Sequence, residues 1–520
     1  MELSTATRTR YLPEIKLRHL VWVVLIYCAV VSSVWPRRTY DIWWHLAAGE
    51  WMVDNLQIPR EDPFTWTRQG EPWTAHEWAW EVPMYLLYAR WGHDGLMALR
   101  VLVAAVSAGL LAWLCLKRGA SPLAVMAVGA LAIFAARPLL NDRPQVATLA
   151  FFMAMLCLIQ HAEDGKERRL LIGAPLLMVA WVNVHGGFVY GPALIGLYAL
   201  CKVPAWVRQR REKAAFAPCP GFVVGAIALA AVACLANPNG VEGAIYPFGY
   251  IAGGHTWHQS VIMEYASPDF SWSIFVVLGF MIVGAMAIFA ASGRRSSLWE
   301  VALTAIFLYT TLRWQRNTAL FAFAVAPVVA LHASDLLERL RSIGKQPAAP
   351  QAESALLQWA IVIALVVSAV ISIPTASGRA EEAFRGDMPV ECVEYVKRTG
   401  LEGRMYNTYR WGGYLIWRLW PDHHAMIDGR ADVMGRELVM DWRKAHKLNE
   451  GWEQVLEEYE IDWALISVSS PLVRALDLHP DWRLVCEEDS ARLFVRRGSI
   501  ADRTAGPREP AISHTVGDAE

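Results

Sequence analysis

Eleven apolar runs constrain this chain more than any other feature. They fall near residues 19–35, 95–116, 121–137, 145–160, 169–184, 187–204, 221–236, 271–291, 298–312, 318–334 and 354–374. Each approaches or reaches the roughly 20 residues that a helix needs to cross a bilayer. A water-soluble core does not absorb so many. The composition agrees: 55% of the residues are hydrophobic, 19% are charged and the mean hydropathy is +0.26. The pattern predicts an α-helical multi-span membrane protein with about 11 transmembrane helices. A further stretch, 82–91, is expected to lie in the interface, because a twelfth span would invert every later loop.

The loops set an orientation. With the N-terminus inside, every clustered basic loop falls on one face: Arg8, Arg10, Lys16 and Arg18; Lys117 and Arg118; Lys166, Arg168 and Arg169; Lys202 through Lys213; Arg294 and Arg295; Arg339, Arg341 and Lys345. Such loops are normally cytoplasmic. The other face receives the tryptophan-rich first loop, RPLLNDRPQ (137–145), NVHGG (183–187), NPNGVEG (237–243), MEYASPDF (263–270) and RWQRN (313–317). The first run exits through VWPRRTYD, without a small-x-small cleavage site, and is expected to stay as an anchor. The expected location is the inner (plasma) membrane, with a cytoplasmic N-terminus.

Residues 1–18 are therefore assigned to a cytoplasmic N-terminus, 19–374 to a transmembrane domain with a large outer loop at 36–94, 375–500 to an extracytoplasmic domain and 501–520 to a disordered tail. Within the outer domain PVECVEYVKRTG and WEQVLEEYE read as helices. HAMIDG, DWALISV and the two halves of WRLVCEEDSARLFVRR read as strands, so a small α/β layer is predicted. The eight cysteines show no CxxC spacing, and only Cys392 and Cys486 share this domain. Neither structural zinc nor a disulfide framework is expected. A formal net charge of -1 offers no general case for nucleic acid.

Residues 40–81 carry the densest chemistry, with seven tryptophans, His45, His76 and several carboxylates between two apolar segments. Tryptophan belongs at the water–lipid boundary, the depth at which a lipid-linked head group is presented. Asp41 follows the first span, with His45 one helical turn later. It could serve as general base toward an acceptor hydroxyl, join His45, Asp62, His76 or Glu77 around a divalent cation, or cap an interfacial helix. HEWAWE supplies His76, Glu77 and Glu81 but is not HExxH, which weakens a metalloprotease reading.

Arg137, Arg143, Arg313 and Arg316 stand on the face that generally lacks basic residues. They suit phosphate or carboxylate recognition, or else pair with local acids such as Asp142 or Glu264. Asn183, His185, Asn237, Asn239, Glu264 and Asp269 fall at span ends on that side, where a shared cavity would justify their cost. Asp428, Arg430 and Asp432 in MIDGRADVMG read as self-satisfied loop structure, with a substrate role as the alternative.

A long outer loop with an acidic residue directly after span one resembles the C-type glycosyltransferase superfamily, over about residues 10–375. DIWWHLAAGEWM, IPREDPFTWT, PWTAHEWAWE, NVHGGF, NPNG, GGYLIW and IDGRAD are similar to a group of bacterial multi-span membrane proteins. The resemblance implies a membrane enzyme of the cell envelope that moves a hexosyl or pentosyl group from a polyprenyl-phosphate donor to a glycan, lipid or protein acceptor. Asp41 would be the catalytic acid-base residue, with Asp62 or Glu77 as a second acidic site. His45, His76, Glu77, Arg137, Arg143, His185, Arg313 and Arg316 would bind substrate. The first loop holds no DxD, so a divalent cation is a candidate cofactor and not a requirement. A transporter or flippase of lipid-linked glycans, or a non-catalytic envelope assembly protein, would share many of these features.

Overall fold

A computed structural model describes residues 16–34, 39–215, 218–251, 257, 262–343, 359–372 and 386–508. Arg8, Arg10 and the end of the predicted tail lie outside the described residues. In chain order the first helices are α1 (Leu17–Val34), α2 (Ile42–Asn55), α3 (Trp78–Trp91), α4 (His93–Lys117), α5 (Pro122–Ala135), α6 (Gln145–Glu163) and α7 (Glu167–Val182). They continue as α8 (Tyr190–Arg211), α9 (Pro220–Ala233), α10 (Gly240–Ile251), α11 (Ser273–Ala291), α12 (Leu298–Arg313), α13 (Thr318–Ile343) and α14 (Trp359–Ser372). Each apolar run carries a helix. α1, α4, α6, α8 and α13 are long and apolar enough to cross a membrane by themselves, and α5, α9, α11 and α14 are shorter apolar helices. The 82–91 stretch belongs to α3, which follows the outer loop.

α13 is the axis of the bundle. Every residue from Thr318 to Ser334 is buried, which suits a helix that is apolar all round and rich in alanine. It packs on α4, α5, α6, α11 and α12. The outward faces of other helices expose Phe280, Leu176, Val283 and Ile172, the side chains a bilayer would cover.

The loops sort to two ends as their charge patterns predict. At one end Lys117 pairs with Asp164 at 3.1 Å, Arg118 with Glu300 at 2.5 Å and Lys202 with Glu163 at 2.6 Å. At the other end Trp78 donates to Asn183 at 2.8 Å, Asn183 to the Ala236 carbonyl at 2.8 Å and Arg60 to the Pro238 carbonyl at 3.2 Å. Arg100 of α4 donates to the Ser33 carbonyl at 2.6 Å and pairs with Asp142, so it ties α1 to the 137–145 turn.

The C-terminal unit comprises α15 (Val390–Thr399), β1 (Met405–Asn407), α16 (Gly412–Leu419), α17 (Ala431–His446), α18 (Trp452–Glu458), β2 (Trp463–Ser467), α19 (Pro471–Leu478), β3 (Trp482–Glu487), β4 (Ala491–Arg496) and α20 (Ile500–Thr504). The sheet order is β1-β2-β4-β3, with β1 parallel to β2 and the other pairs antiparallel. HAMIDG is not a strand: its Ala425 makes one parallel bridge to Thr65 of the outer loop. The polar stretch after 500 begins with α20 rather than a tail, because Ser499 accepts from the Asp502 N–H and Ala501 is buried.

The outer loop and this unit are stitched together. Trp66 donates to the Met405 carbonyl at 3.1 Å, Thr67 to that of Met426 at 2.5 Å, Arg68 to that of Met434 at 3.1 Å, and Trp420 to that of Pro63 at 3.0 Å. At the centre is Arg430, 2% exposed. Its guanidinium lies 2.8 Å from Asp62 and 2.6 Å from Asp428, over the Trp73 ring at 4.6 Å. Arg430→Ala would leave two buried carboxylates without their cation. It should cost about 3–5 kcal/mol and expose the C-terminal unit to protease. A thermal melt with limited proteolysis of the purified protein checks this, and Arg430→Lys, without the planar fork, should restore little.

Candidate functional site

α2 and α3 cross so closely that Gly49 has no room for a side chain: a Cβ there would stand 2.3 Å from the Glu81 carbonyl oxygen and 2.7 Å from the Tyr85 Cβ. His45 lies one turn before Gly49 on α2, and Glu77 one turn before Glu81 on α3, so the crossing faces these side chains toward each other. His45 Nδ1 is 2.9 Å from Glu81 Oε1 and 3.8 Å from Glu77 Oε2. Both His45 and Glu81 are about 1% exposed, and Glu81 Oε2 has no partner among the described residues. Burial, then the neighbouring Glu77 charge, pushes the Glu81 carboxyl well above the usual carboxylate range. Burial, then Arg143, holds His45 well below the usual imidazole range. Burial thus disfavours the charged form of both partners.

Two further histidines face Glu77, whose Oε1 is 3.7 Å from both His76 Nε2 and His185 Nε2. Their hydrogen bonds assign opposite tautomers. His76 Nδ1 lies 3.1 Å from the Thr74 carbonyl, which can only accept, so His76 Nε2 carries the lone pair. His185 Nδ1 accepts from the Gly187 N–H at 2.9 Å and meets the Thr148 hydroxyl at 2.8 Å, so its proton sits on Nε2, toward Glu77. Burial raises the Glu77 carboxyl, with His76 partly offsetting it.

The donor set fits a divalent cation. Ligand atoms of His45, Glu77 and Glu81 all lie within 4.8 Å of one another. The unpartnered Glu81 oxygen is a group that such an ion would satisfy. One imidazole nitrogen with two carboxylates suits borderline-to-hard metals such as Zn²⁺ or Mn²⁺. His76, whose Nδ1 proton is held by a backbone carbonyl, has the arrangement typical of a metal-bound histidine; His185, protonated on the facing nitrogen, does not.

Asp41 stands at the N-cap of α2 without capping it through its side chain. Its Oδ2 is 3.3 Å from Arg143 Nε, and Arg143 also pairs with Glu264. From the C-terminal unit Gly429 closes on it, since a Cβ at that position would meet Asp41 Oδ1 at 2.3 Å. Burial raises the Asp41 carboxyl above its usual range, and Arg143 counters only part of this. Despite burial, Arg143 and then Arg316 hold Glu264 below its usual range.

The structure gathers Asp41, His45, His76, Glu77, Arg143 and His185 at one end of the bundle. Arg316 is close by, with its guanidinium 4.7 Å over the Tyr265 ring and no ion pair among the described residues. Arg313 is exposed and stacks on Trp314 at 5.6 Å, while Arg137 is half-buried with Nε unpartnered among the described residues. Asp62 is elsewhere, committed to Arg430 and to the Phe64 and Thr65 amides. Of the acids proposed above as arginine partners, Asp142 takes Arg100 and Glu264 takes Arg143. Glu81 as a donor and Gly429 as a cover were not assigned from sequence; the i,i+4 spacing from Glu77 signals the first, and nothing local signals the second. A cleft of about 890 Å³ shares Trp78 with this region and is lined by Trp51, Val82, Asp62 and Asn239, not by Asp41.

No family model and no curated protein matches the chain. Among solved structures it is similar to the archaeal oligosaccharyltransferase AglB from Archaeoglobus fulgidus in complex with an inhibitory peptide and a dolichol-phosphate. That match has a TM-score of 0.53 and 12% identity, and covers 86% of this chain and 69% of that one. The apo form of the Archaeoglobus fulgidus oligosaccharyltransferase matches at a TM-score of 0.47 and 12% identity, over the same shares of the two chains. The chain therefore shares the fold of a membrane oligosaccharyltransferase, as the resemblance to C-type glycosyltransferases implies.

Titration with Mn²⁺ should raise the thermal midpoint of the purified protein, because an ion bound to the folded state stabilises it. The rise should vanish in Glu77→Gln and Glu81→Gln. Gly49→Ala, which keeps all three donors but drives α3 from α2, should weaken it as well.

Proposed function

We propose, from the fold shared with a membrane oligosaccharyltransferase, that this protein transfers a sugar from a polyprenyl-phosphate carrier to an extracytoplasmic acceptor. The observation that carries this reading is Asp41: a carboxylate at the start of the outer loop, oriented by Arg143, its pKa raised by burial, at the boundary between the apolar bundle and an outer domain. In this reading eleven helices span the membrane, the N-terminus is cytoplasmic and the α/β unit lies outside.

The acceptor hydroxyl attacks the anomeric carbon, and its proton passes to Asp41. The bond from that carbon to the phosphate oxygen breaks, and polyprenyl phosphate departs with the electron pair. Configuration inverts, and phosphate leaves without needing a strong general acid. Arg143 cannot easily serve the phosphate, since Asp41 and Glu264 already occupy it. It instead fixes the base. Arg316 has no competing ion pair among the described residues and is the better phosphate ligand, with its guanidinium held over the Tyr265 ring. A divalent cation held by His45, Glu77 and Glu81 would offset the charge on the departing phosphate. His185 turns its Nε2 proton toward Glu77.

The test is transfer of labelled sugar from a panel of polyprenyl-phosphate donors by purified protein in lipid. Asp41→Asn should lower kcat about 10²- to 10⁴-fold with an unchanged thermal melt. Transfer equal to wild type removes Asp41 from the mechanism, and transport of the intact lipid-linked glycan without turnover favours a flippase. Arg316→Ala should weaken donor use about ten- to hundredfold, mainly in KM. As a base, Asp41 works only when ionised, so kcat should fall as pH drops through its raised pKa. The acidic limb should thus lie above the ordinary aspartate value of about 3.9, as a pH–rate profile of the wild type would show.

A further inference from the structure

Cys392 and Cys486 lie 94 residues apart in sequence and meet inside the C-terminal unit, with their sulfurs 2.8 Å apart. Both are fully buried. The other six cysteines, Cys28, Cys115, Cys157, Cys201, Cys219 and Cys234, belong to the membrane helices or their ends. Sequence spacing gave this pair no support; the fold brings it together.

Two features of the strand explain how. The β3–β4 ladder slips between Leu484 and Cys486, and a bulge of this kind turns the next side chain to the other face. As a result Val485 and Cys486 are buried in succession, against the alternation of a regular strand. The turned thiol points at α15, whose Cys392 sits in the first helical turn.

The same seam is fastened by polar groups. The Glu488 carboxylate accepts from the backbone N–H groups of Glu391 at 3.2 Å and Cys392 at 3.3 Å, closing orphan donors at the start of α15. Ser490 donates to the Met388 carbonyl at 3.1 Å. α15 is the first helix of the unit after α14, and it packs on α16, whose Gly413 rests against Trp44 beside Asp41. This seam therefore anchors the entry of the chain into the unit that covers the candidate site.

We infer that Cys392 and Cys486 form a disulfide in the mature protein, a modification that staples α15 to the β3–β4 hairpin. The inference rests on the outer placement of the domain, where thiol oxidation is sustained, and not on the proposed transfer reaction. Bond formation closes the sulfurs from 2.8 Å to about 2.05 Å. The two thiols give up two protons and two electrons. These pass by way of a mixed disulfide to an exchange oxidant that carries a disulfide and leaves as a dithiol.

The test uses the full chain in its own membranes. Free thiols are blocked with N-ethylmaleimide in denaturant, the sample is reduced, and newly exposed thiols are counted with a PEG-maleimide. Two new thiols are expected in the wild type and none in Cys392→Ala/Cys486→Ala. Peptide mapping without reductant should recover the peptides of Cys392 and Cys486 joined. Eight thiols blocked at the first step overturn the inference. Placement is read separately from Leu478→Cys, at an 85% exposed position, in the double-alanine background. Its labelling by a membrane-impermeant maleimide in intact cells supports the outer location, and protection until lysis overturns that location and the inference with it.

Discussion

A single buried guanidinium joins the first loop of this protein to its C-terminal unit. Arg430 sits between Asp62 of the first loop and Asp428 of the C-terminal unit, so the desolvation of one cation is shared by carboxylates from two distant parts of the chain. The consequence is positional. Gly429 lies next to Arg430 in sequence, and its fit against Asp41 follows from where the guanidinium is held. The aromatic faces of Trp73 and Phe64 complete the enclosure and exclude the water that would otherwise weaken it.

Around Asp41 the charges are arranged in two layers. The outer layer, Asp41–Arg143–Glu264, is linked by ion pairs and partly open to solvent, with side-chain exposures near 27–33%. The inner layer, His45 with Glu81, is closed, and burial disfavours the charged form of each. Arg143 influences both: it lowers His45 by repulsion while fixing Asp41 by attraction. Asp41 and the His45 donor set therefore sit within reach of the same guanidinium, which lowers the proton affinity of both.

Much of the membrane fold was legible in the sequence because a bilayer imposes its own length scale. All eleven apolar runs became helices, and the basic and non-basic loops separated to opposite ends. The C-terminal unit was less legible. α15, α18, β2 and the β3–β4 hairpin follow from local patterns, but β1 is three residues long and exists through its pairing with β2, and HAMIDG lost its strand to a contact with the outer loop. In the candidate site His45, His76, Glu77 and Arg143 were visible as unusual residues at a boundary. Which of them meet was not, because a helix crossing decided by the absence of a side chain at Gly49 has no signature in a list of polar residues. Asp62 shows the converse: chemically suitable, close in sequence, and taken by an arginine more than 350 positions away.

Gly429 has no left-handed backbone to justify glycine; what it supplies is closeness to Asp41. The roof over the carboxylate is thus a main chain, with nothing to rotate aside and nothing to trim. Headroom above Asp41 becomes a property of how the C-terminal unit is seated, not of any rotamer in the bundle. Changes in the 426–432 loop or in its seating would widen or narrow the space over Asp41 while the helices beneath stayed the same.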